Sequence, residues 1–190
     1  NPATDEVEVV NYSAGTHKGL TAKVQILNMD ASVAWEKEAT VDSNEDTTNK
    51  CIKLAFPANL SKVHFIKMVL TENGKVISDN FYHRSLEENN YQDLRQLAKV
   101  ALQSTTTVDK NADGTWSAVS VIENKTSTPA LMIRLNVVGS KDGQQLLPVF
   151  YSDNYFSLLP GEKKEVRMSW KDEDTRGNEG KVLITGYNVE

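Results

Sequence analysis

Apolar and polar residues alternate along most of the chain, and this period of two is typical of a β-strand with one buried and one solvated face. The alternation is clearest over 20–26, 33–41, 52–56, 131–137 and 166–170. Antiparallel sheets that are solvated on one side require this pattern. The sequence therefore predicts an all-β fold.

Turn signals separate the apolar runs. Asn73-Gly74 lies between two of them and predicts a tight hairpin. Asp113-Gly114, Asp142-Gly143 and Pro160-Gly161 mark further turns. Successive signals are about 10 to 15 residues apart, a spacing that suits a β-sandwich and leaves no room for crossover helices.

One segment near the middle of the chain departs from this pattern. Its apolar residues recur at intervals of three and four, as on one face of a helix: Tyr91, Leu94, Leu97, Ala98, Ala101 and Leu102. Ser85 followed by Glu88 fits a capping box. The spacing predicts a short helix of two or three turns within 88–99.

The lengths of chain on either side of this segment suggest the domain organisation. Each side is close to the ~100 residues of an immunoglobulin-like sandwich. We expect two immunoglobulin-like antiparallel β-sandwiches, over 1–85 and 103–190, joined by a short helical connector over 86–102. One large sandwich with a helical insertion is the alternative.

Composition narrows the range of partners. Apolar residues make up 39% and charged residues 25% of the 190 positions, which is typical of a globular domain. The formal net charge of −5 argues against nucleic acid as a partner, because a protein that neutralises phosphates is basic. No apolar stretch is long enough to predict a membrane span. The single cysteine, Cys51, has no partner for an internal disulfide.

Candidate catalytic and metal-binding residues do not form a recognisable pattern. The histidines at 17, 64 and 83 lack metal-ligand spacing, and no nucleophile elbow or phosphate-binding loop is present. The carboxylates of Glu45-Asp46 and of 172–174 lie in polar turns, where nothing predicts a raised pKa. We therefore expect no catalytic residue, no metal and no cofactor.

Aromatic residues matter because sugar rings stack on flat, exposed side chains. Trp170 lies on the apolar face of an alternating run and is predicted to be in the core. Trp116 follows a turn and is either core or exposed. Tyr151 and Tyr155 flank the polar residues 152–154, a kink that predicts a bulge or a strand that switches sheets. Trp116, Tyr151 and Tyr155 are the candidate glycan contacts, with burial in the core as the alternative for each.

The segment 148–162 reads Pro-Val-Phe-Tyr-Ser-Asp-Asn-Tyr-Phe-Ser-Leu-Leu-Pro-Gly-Glu and is followed by an alternating strand over 164–170. This segment resembles the last immunoglobulin-like domain of glycoside hydrolase family 2 enzymes of the exo-β-glucosaminidase and β-mannosidase type. The segments 123–135, 79–82 and 91–94 are similar to that family as well. Family members often carry Trp after the Asn-Phe-Tyr step, where this chain has His83.

The resemblance implies a non-catalytic, C-terminal portion of a glycosidase that hydrolyses terminal β-mannosyl or β-glucosaminyl units. The family's catalytic glutamate follows an asparagine at the end of a barrel strand. Asn44-Glu45 and Asn178-Glu179 lie in polar loops instead, so no catalytic residue is assigned. The implied partners are the catalytic barrel and N-terminal domains of the parent protein, and the implied location is periplasmic or secreted.

Two other functions are compatible with the sequence. A free-standing carbohydrate-binding module would take a glycan as its partner and would need an exposed aromatic platform. A cell-surface adhesion or spacer module rests on analogy between folds alone.

Overall fold

The computed structural model describes residues 1–190 and is all-β, with thirteen strands in antiparallel sheets and two 3-10 helices. The chain divides into two compact units, 1–95 and 96–190, which we call unit 1 and unit 2. No helix in the structure has the length and apolar character needed to cross a membrane.

Unit 1 contains six strands in two antiparallel sheets. The strands are β1 Glu6–Asn11, β2 His17–Asn28, β3 Val33–Ser43, β4 Thr47–Lys53, β5 Val63–Glu72 and β6 Lys75–Ser85. Four of them form one sheet in the order β3-β2-β5-β6, and β1 pairs with β4 to form the other. Side chains from both sheets meet in one core, whose buried members are Val7, Ala22, Val24, Ile26, Ile52, Leu54, Leu60 and Ile66.

The turn between β5 and β6 shows how local sequence sets strand register. Asn73 and Gly74 both have positive φ, at 51° and 77°. A two-residue hairpin turn of this handedness matches the twist of the flanking strands, and Asn-Gly is the pair that adopts it most readily. The hairpin predicted at Asn73-Gly74 is confirmed.

Unit 2 contains seven strands, again in two antiparallel sheets. They are β7 Gln103–Lys110, β8 Thr115–Glu123, β9 Ala130–Gly139, β10 Phe150–Tyr151, β11 Phe156–Leu158, β12 Lys163–Lys171 and β13 Gly180–Thr185. One sheet has the order β10-β12-β8-β7 and the other β11-β9-β13. The core combines residues of both sheets, among them Ile122, Ile133, Leu135, Val166, Met168 and Trp170.

The polar residues 152–154 carry the chain from one sheet of unit 2 to the other. Ser152 still pairs with β12, because its N–H donates to Arg167 O at 2.8 Å and its hydroxyl accepts from Arg167 N at 2.9 Å. Asn154 is bonded to β9 instead: its amide accepts from Leu135 N and donates to Leu135 O, both at 2.9 Å. The kink is therefore a strand that switches sheets, as one of the two sequence-based alternatives predicted.

The strands of the two units follow the same plan. In unit 1, β1 pairs with β4, and β2 pairs with β3 and β5. In unit 2, β8 pairs with β12, and β9 pairs with β11 and β13. Three strands have no counterpart in the other unit: β6 in unit 1, and β7 and β10 in unit 2.

The helix expected within 88–99 is instead a single 3-10 helix at Gln92–Gln96. The apolar spacing from Tyr91 to Leu94 to Leu97 is three, which is the repeat of a 3-10 helix. Ser85 accepts from Glu87 N and does not form the expected capping box. Val100, further on, is fully buried in the core of unit 2 and is bonded to Asn188. Val100 and Leu102 thus belong to a core and not to a helix face, whereas Ala98 and Ala101 are exposed.

Asn124 joins two turns of unit 2 from a fully buried position. Its side-chain amide donates to Thr128 O at 2.8 Å and to Leu158 O at 3.0 Å. Its side-chain oxygen accepts from the backbone N–H and the hydroxyl of Thr126. Every polar atom of this side chain is therefore satisfied inside the protein, where an unpaired group is costly.

Replacing Asn124 with alanine should destabilise unit 2 by about 3 kcal/mol, since buried backbone groups of both turns lose their partners. Urea denaturation followed by the fluorescence of the buried Trp170 would measure the change. Ser127→Ala, at an exposed position of the turn that Asn124 joins, is the control and should change stability by less than about 0.5 kcal/mol. A loss below about 1 kcal/mol for Asn124→Ala would contradict this role.

Candidate functional site

Trp116 lies at the end of the inner face of the four-stranded sheet of unit 2, in a row that crosses three strands. It is paired with Lys110 on β7 and with Trp170 on β12. The rings of Trp116 and Trp170 are parallel within 4°, with centroids 6.3 Å apart. The Lys110 ammonium lies over the Trp116 ring, 5.4 Å from its centroid. Contacts to both neighbours in the row therefore cover Trp116, which is half-buried.

Asp172 completes this arrangement from the 3-10 helix Asp172–Thr175 that follows β12. Its carboxylate accepts from the Trp116 indole N–H at 2.7 Å and pairs with the Lys110 ammonium, also at 2.7 Å. The hydrogen bond from Lys110, followed by that from Trp116, holds the pKa of Asp172 below its ordinary value. The cluster of Lys110, Trp116 and Asp172 lines an open depression of about 360 Å³.

Tyr151 and Tyr155 lie on either side of the segment that switches sheets, and they differ in accessibility. Tyr151 is half-buried, and its hydroxyl accepts from Val137 N at 3.2 Å. Burial raises the pKa of that phenol. Tyr155 is 55% exposed, has a positive φ of 59°, and carries the Arg134 guanidinium over its ring at 5.8 Å.

The three candidate glycan contacts differ in their surroundings. Trp116 contacts Lys110, Trp170 and Asp172, whereas Tyr151 and Tyr155 lie near each other and near Arg134. The indole N–H of Trp116 is already used, and so is the Tyr151 hydroxyl. Tyr155 is the one with a large exposed ring.

A network that sequence reasoning missed involves Ser13, His17 and Glu72 of unit 1. The Ser13 hydroxyl lies 3.0 Å from His17 Nε2, and His17 Nδ1 lies 2.9 Å from Glu72 Oε1. This order of groups occurs in hydrolytic triads. Here, however, the Ser13 hydroxyl donates to Asn11 Oδ1 at 2.7 Å. The network therefore joins the loop after β1 to the end of β5, and no local pattern indicates it, because Glu72 is distant in sequence.

The other ionisable groups with shifted pKa values are explained by burial or by surface pairing. Burial lowers the pKa of His64 and of His83, both of which pack against phenylalanine rings. Burial also raises the pKa of the Cys51 thiol. The structure contains no cluster of three or more histidine, cysteine or carboxylate side chains that could hold a metal ion.

A known protein family matches the later part of the chain. The model of the exo-beta-D-glucosaminidase Ig-fold domain matches residues 80–189, which is more than half of the chain. The chain belongs to this Ig-fold family. The match covers nearly all of unit 2 and the last strand of unit 1 from Asn80 onward.

Relatives of this Ig-fold chain are much longer proteins. It is 30% identical to an exo-beta-D-glucosaminidase of Streptomyces avermitilis, over 96% of this chain and 23% of the relative. It is also 30% identical to an exo-beta-D-glucosaminidase of Hypocrea jecorina, over 97% of this chain and 23% of the relative. The chain thus spans about a quarter of the length of the curated relatives it matches.

The fold of this chain agrees with that of part of a solved exo-chitosanase structure. The crystal structure of the exo-chitosanase CsxA of Amycolatopsis orientalis matches 97% of this chain with a TM-score of 0.89 and 26% identity. The match covers 24% of the CsxA chain. The immunoglobulin-like fold expected from the sequence is therefore shown for this chain.

The pairing within the Trp116 cluster predicts a specific titration. Lys110→Met should raise the pKa of Asp172 toward its ordinary value of 3.8, because the strongest stabilising partner of the carboxylate is lost. Lys110→Arg keeps the charge and is the matched control. NMR of the Asp172 carboxyl carbon as a function of pH would measure both variants.

The sign of the effect on stability follows from the lowered pKa. The pairing of Asp172 stabilises the folded state above pH 3.8, and this contribution is lost as the pH falls through the lower folded pKa. An Asp172 titration that is the same in Lys110→Met and in the unmodified protein would contradict the assigned pairing.

Proposed function

We propose that this chain is a non-catalytic, β-sandwich portion of a longer exo-β-D-glucosaminidase. The observation that carries the proposal is the structural match of 97% of the chain to about a quarter of CsxA. The relatives named above are exo-beta-D-glucosaminidases. They favour glucosaminidase activity over β-mannosidase activity, which the sequence resemblance also implied. The longer protein would remove terminal β-glucosaminyl units, and its reacting groups would lie outside residues 1–190.

The proposal includes two immunoglobulin-like sandwiches, one in each unit. They span 1–85 and 103–190, and residues 86–102 connect them. The shared strand plan of the two units supports it, as do the end of β6 at Ser85 and the start of β7 at Gln103. The partners would be the catalytic barrel and N-terminal domains of the same polypeptide. A periplasmic or secreted location accompanies the proposal, as the family resemblance implies.

The physical role of the two units would be support. Loops at the ends of sandwiches tolerate variation, so they can adapt to a neighbouring domain while the sheets stay rigid. The hydrogen bonds of Asp172 to Trp116 and of Glu72 to His17 stabilise the ends of the strands beside such loops. The lowered pKa of Asp172 suits a scaffold better than proton transfer, which needs a pKa near the working pH.

Activity assays test this function directly. The 190-residue chain should give no turnover of nitrophenyl β-glucosaminide or nitrophenyl β-mannoside, whereas the longer protein should hydrolyse the glucosaminide. The longer protein without residues 1–190 is the comparison. It should lose activity or solubility, because the surface of its other domains that contacts residues 1–190 would be exposed to solvent. Turnover by the 190-residue chain that survives repurification would overturn the proposal.

A glycan contact at Tyr155 is a second candidate function, supported by its exposed ring and by the neighbouring Arg134. Trp116 and Tyr151 stay candidates for the same role, but their covered ring and bonded hydroxyl support it less. Exposed aromatic side chains with a polar neighbour suit the mixed apolar and polar faces of a sugar ring.

Titration with glucosamine oligomers, followed by NMR of the tyrosine ring signals, would test the contact. Binding should shift the Tyr155 signals and be lost in Tyr155→Ala. Tyr187→Ala, which removes another exposed tyrosine of unit 2, is the control and should bind as before. If millimolar oligomer leaves the Tyr155 signals unchanged, this contact does not exist.

A further inference from the structure

The core of unit 1 is open along one side, and the opening is a groove of about 380 Å³. Its floor includes Ala22 and Val24 of β2 and Met68 and Leu70 of β5, all of which face the core. β6 contributes Ser78, Asn80 and Tyr82 to one side of the groove. The groove exists because a two-stranded sheet lies over a four-stranded one and leaves part of its inner face uncovered.

The other side of the groove is β1, over residues 7–10. β1 pairs with β4 on one edge only, so its second edge has no neighbouring strand. An unpaired edge presents backbone N–H and C=O groups that can pair with a further strand. The groove therefore combines an apolar floor with a backbone edge, which is the combination that binds an extended peptide by strand addition.

Unit 2 shows what occupies the same position in the common strand plan. Its β8 corresponds to β1, and the second edge of β8 is paired with β7. β7 comes directly before β8 in the chain and is joined to it by the turn at Asp113-Gly114. Val108 of β7 packs against the core. In unit 1, the corresponding strand would come directly before β1.

The residues at the start of the chain already have the geometry of such a hairpin. Residues 2–5 form a turn in front of β1. The nitrogen of Asn1, which is the terminal ammonium of the 190-residue chain, donates to Glu6 O at 2.8 Å across this turn, and Thr4 N donates to Asn1 O at 3.3 Å. Asn1 also lines the groove. A residue bonded to the first position of β1 across a turn lies where the last residue of an antiparallel partner strand would be.

We propose that, in the longer protein, the segment directly before Asn1 forms a strand antiparallel to β1 and fills this groove. The proposal rests on the proposed function, because it requires the chain to be part of a longer polypeptide. The strand would have about six residues, the usual strand length and that of β1. Its inward side chains would be apolar over Met68 and Leu70, and its backbone would pair with residues 7–10.

Cysteine labelling tests whether the groove is filled and by which part of the protein. Cys51 is first replaced by Ser, so that a single introduced thiol is measured. Ser78→Cys places that thiol on the groove side of β6, and Asp79→Cys places it on the opposite face of the same strand, where successive side chains point apart. Both positions are exposed in the 190-residue chain, so both thiols should react with a maleimide at similar rates.

The same two variants are then made in two longer forms, the chain extended by the roughly twelve residues that precede Asn1 (a strand plus a turn) and the complete protein. We expect Ser78→Cys to react at least tenfold more slowly in both longer forms, with Asp79→Cys unchanged. Unchanged labelling of Ser78→Cys in both longer forms would overturn the proposal. Protection in the complete protein alone would overturn it too, because a more distant part would then fill the groove.

The proposed function is measured separately in the same preparations. Hydrolysis of nitrophenyl β-glucosaminide by the complete protein reports on that function whatever the labelling shows. Protection of Ser78→Cys without hydrolysis would uphold the strand and reject the glycosidase. Hydrolysis without protection of Ser78→Cys would uphold the glycosidase and reject the strand.

Discussion

Each strand of this chain buries alternate side chains, so each sheet is stable only where a second sheet covers its apolar face. Unit 2 meets this requirement with a four-stranded sheet over a three-stranded one. Unit 1 meets it in part, since two strands face four and part of the inner face, beside Met68 and Leu70 of β5, stays open. The need to cover sheet faces explains both the shared strand plan and the groove beside β1.

Where strands end or change sheets, backbone groups lose their ladder partners and need others. Asparagine side chains supply them at three places in unit 2, because one amide offers both a donor and an acceptor. Asn154 pairs with Leu135 during the switch between sheets, and Asn124 joins two turns. Asn188 accepts from Leu131 N and donates to Ala98 O and Pro129 O. These polar residues are as structural as the apolar core.

The aromatic residues that were predicted to contact a glycan have structural contacts of their own. Trp116 closes the end of the core beside Trp170, with Asp172 and Lys110 arranged around its indole. Tyr151 bonds to β9 through its hydroxyl. These contacts suit the supporting role proposed for the two units in a longer protein, and the chain spans about a quarter of the length of its glucosaminidase relatives.

The sequence by itself determined the all-β class, the hairpin at Asn73-Gly74 and a kink at 152–154, because these depend on local alternation and turn preferences. Only the structure decided that the kink is a switch between sheets and not a bulge. The tertiary structure decided the features that the local pattern of apolar and polar residues leaves open. Val33 belongs to the alternating run 33–41, but a register shift opposite Ile26 and Leu27 leaves it exposed. The 3-10 helix, the covered face of Trp116 and the open edge of β1 likewise depend on which distant strands meet, and a period of two does not encode that pairing.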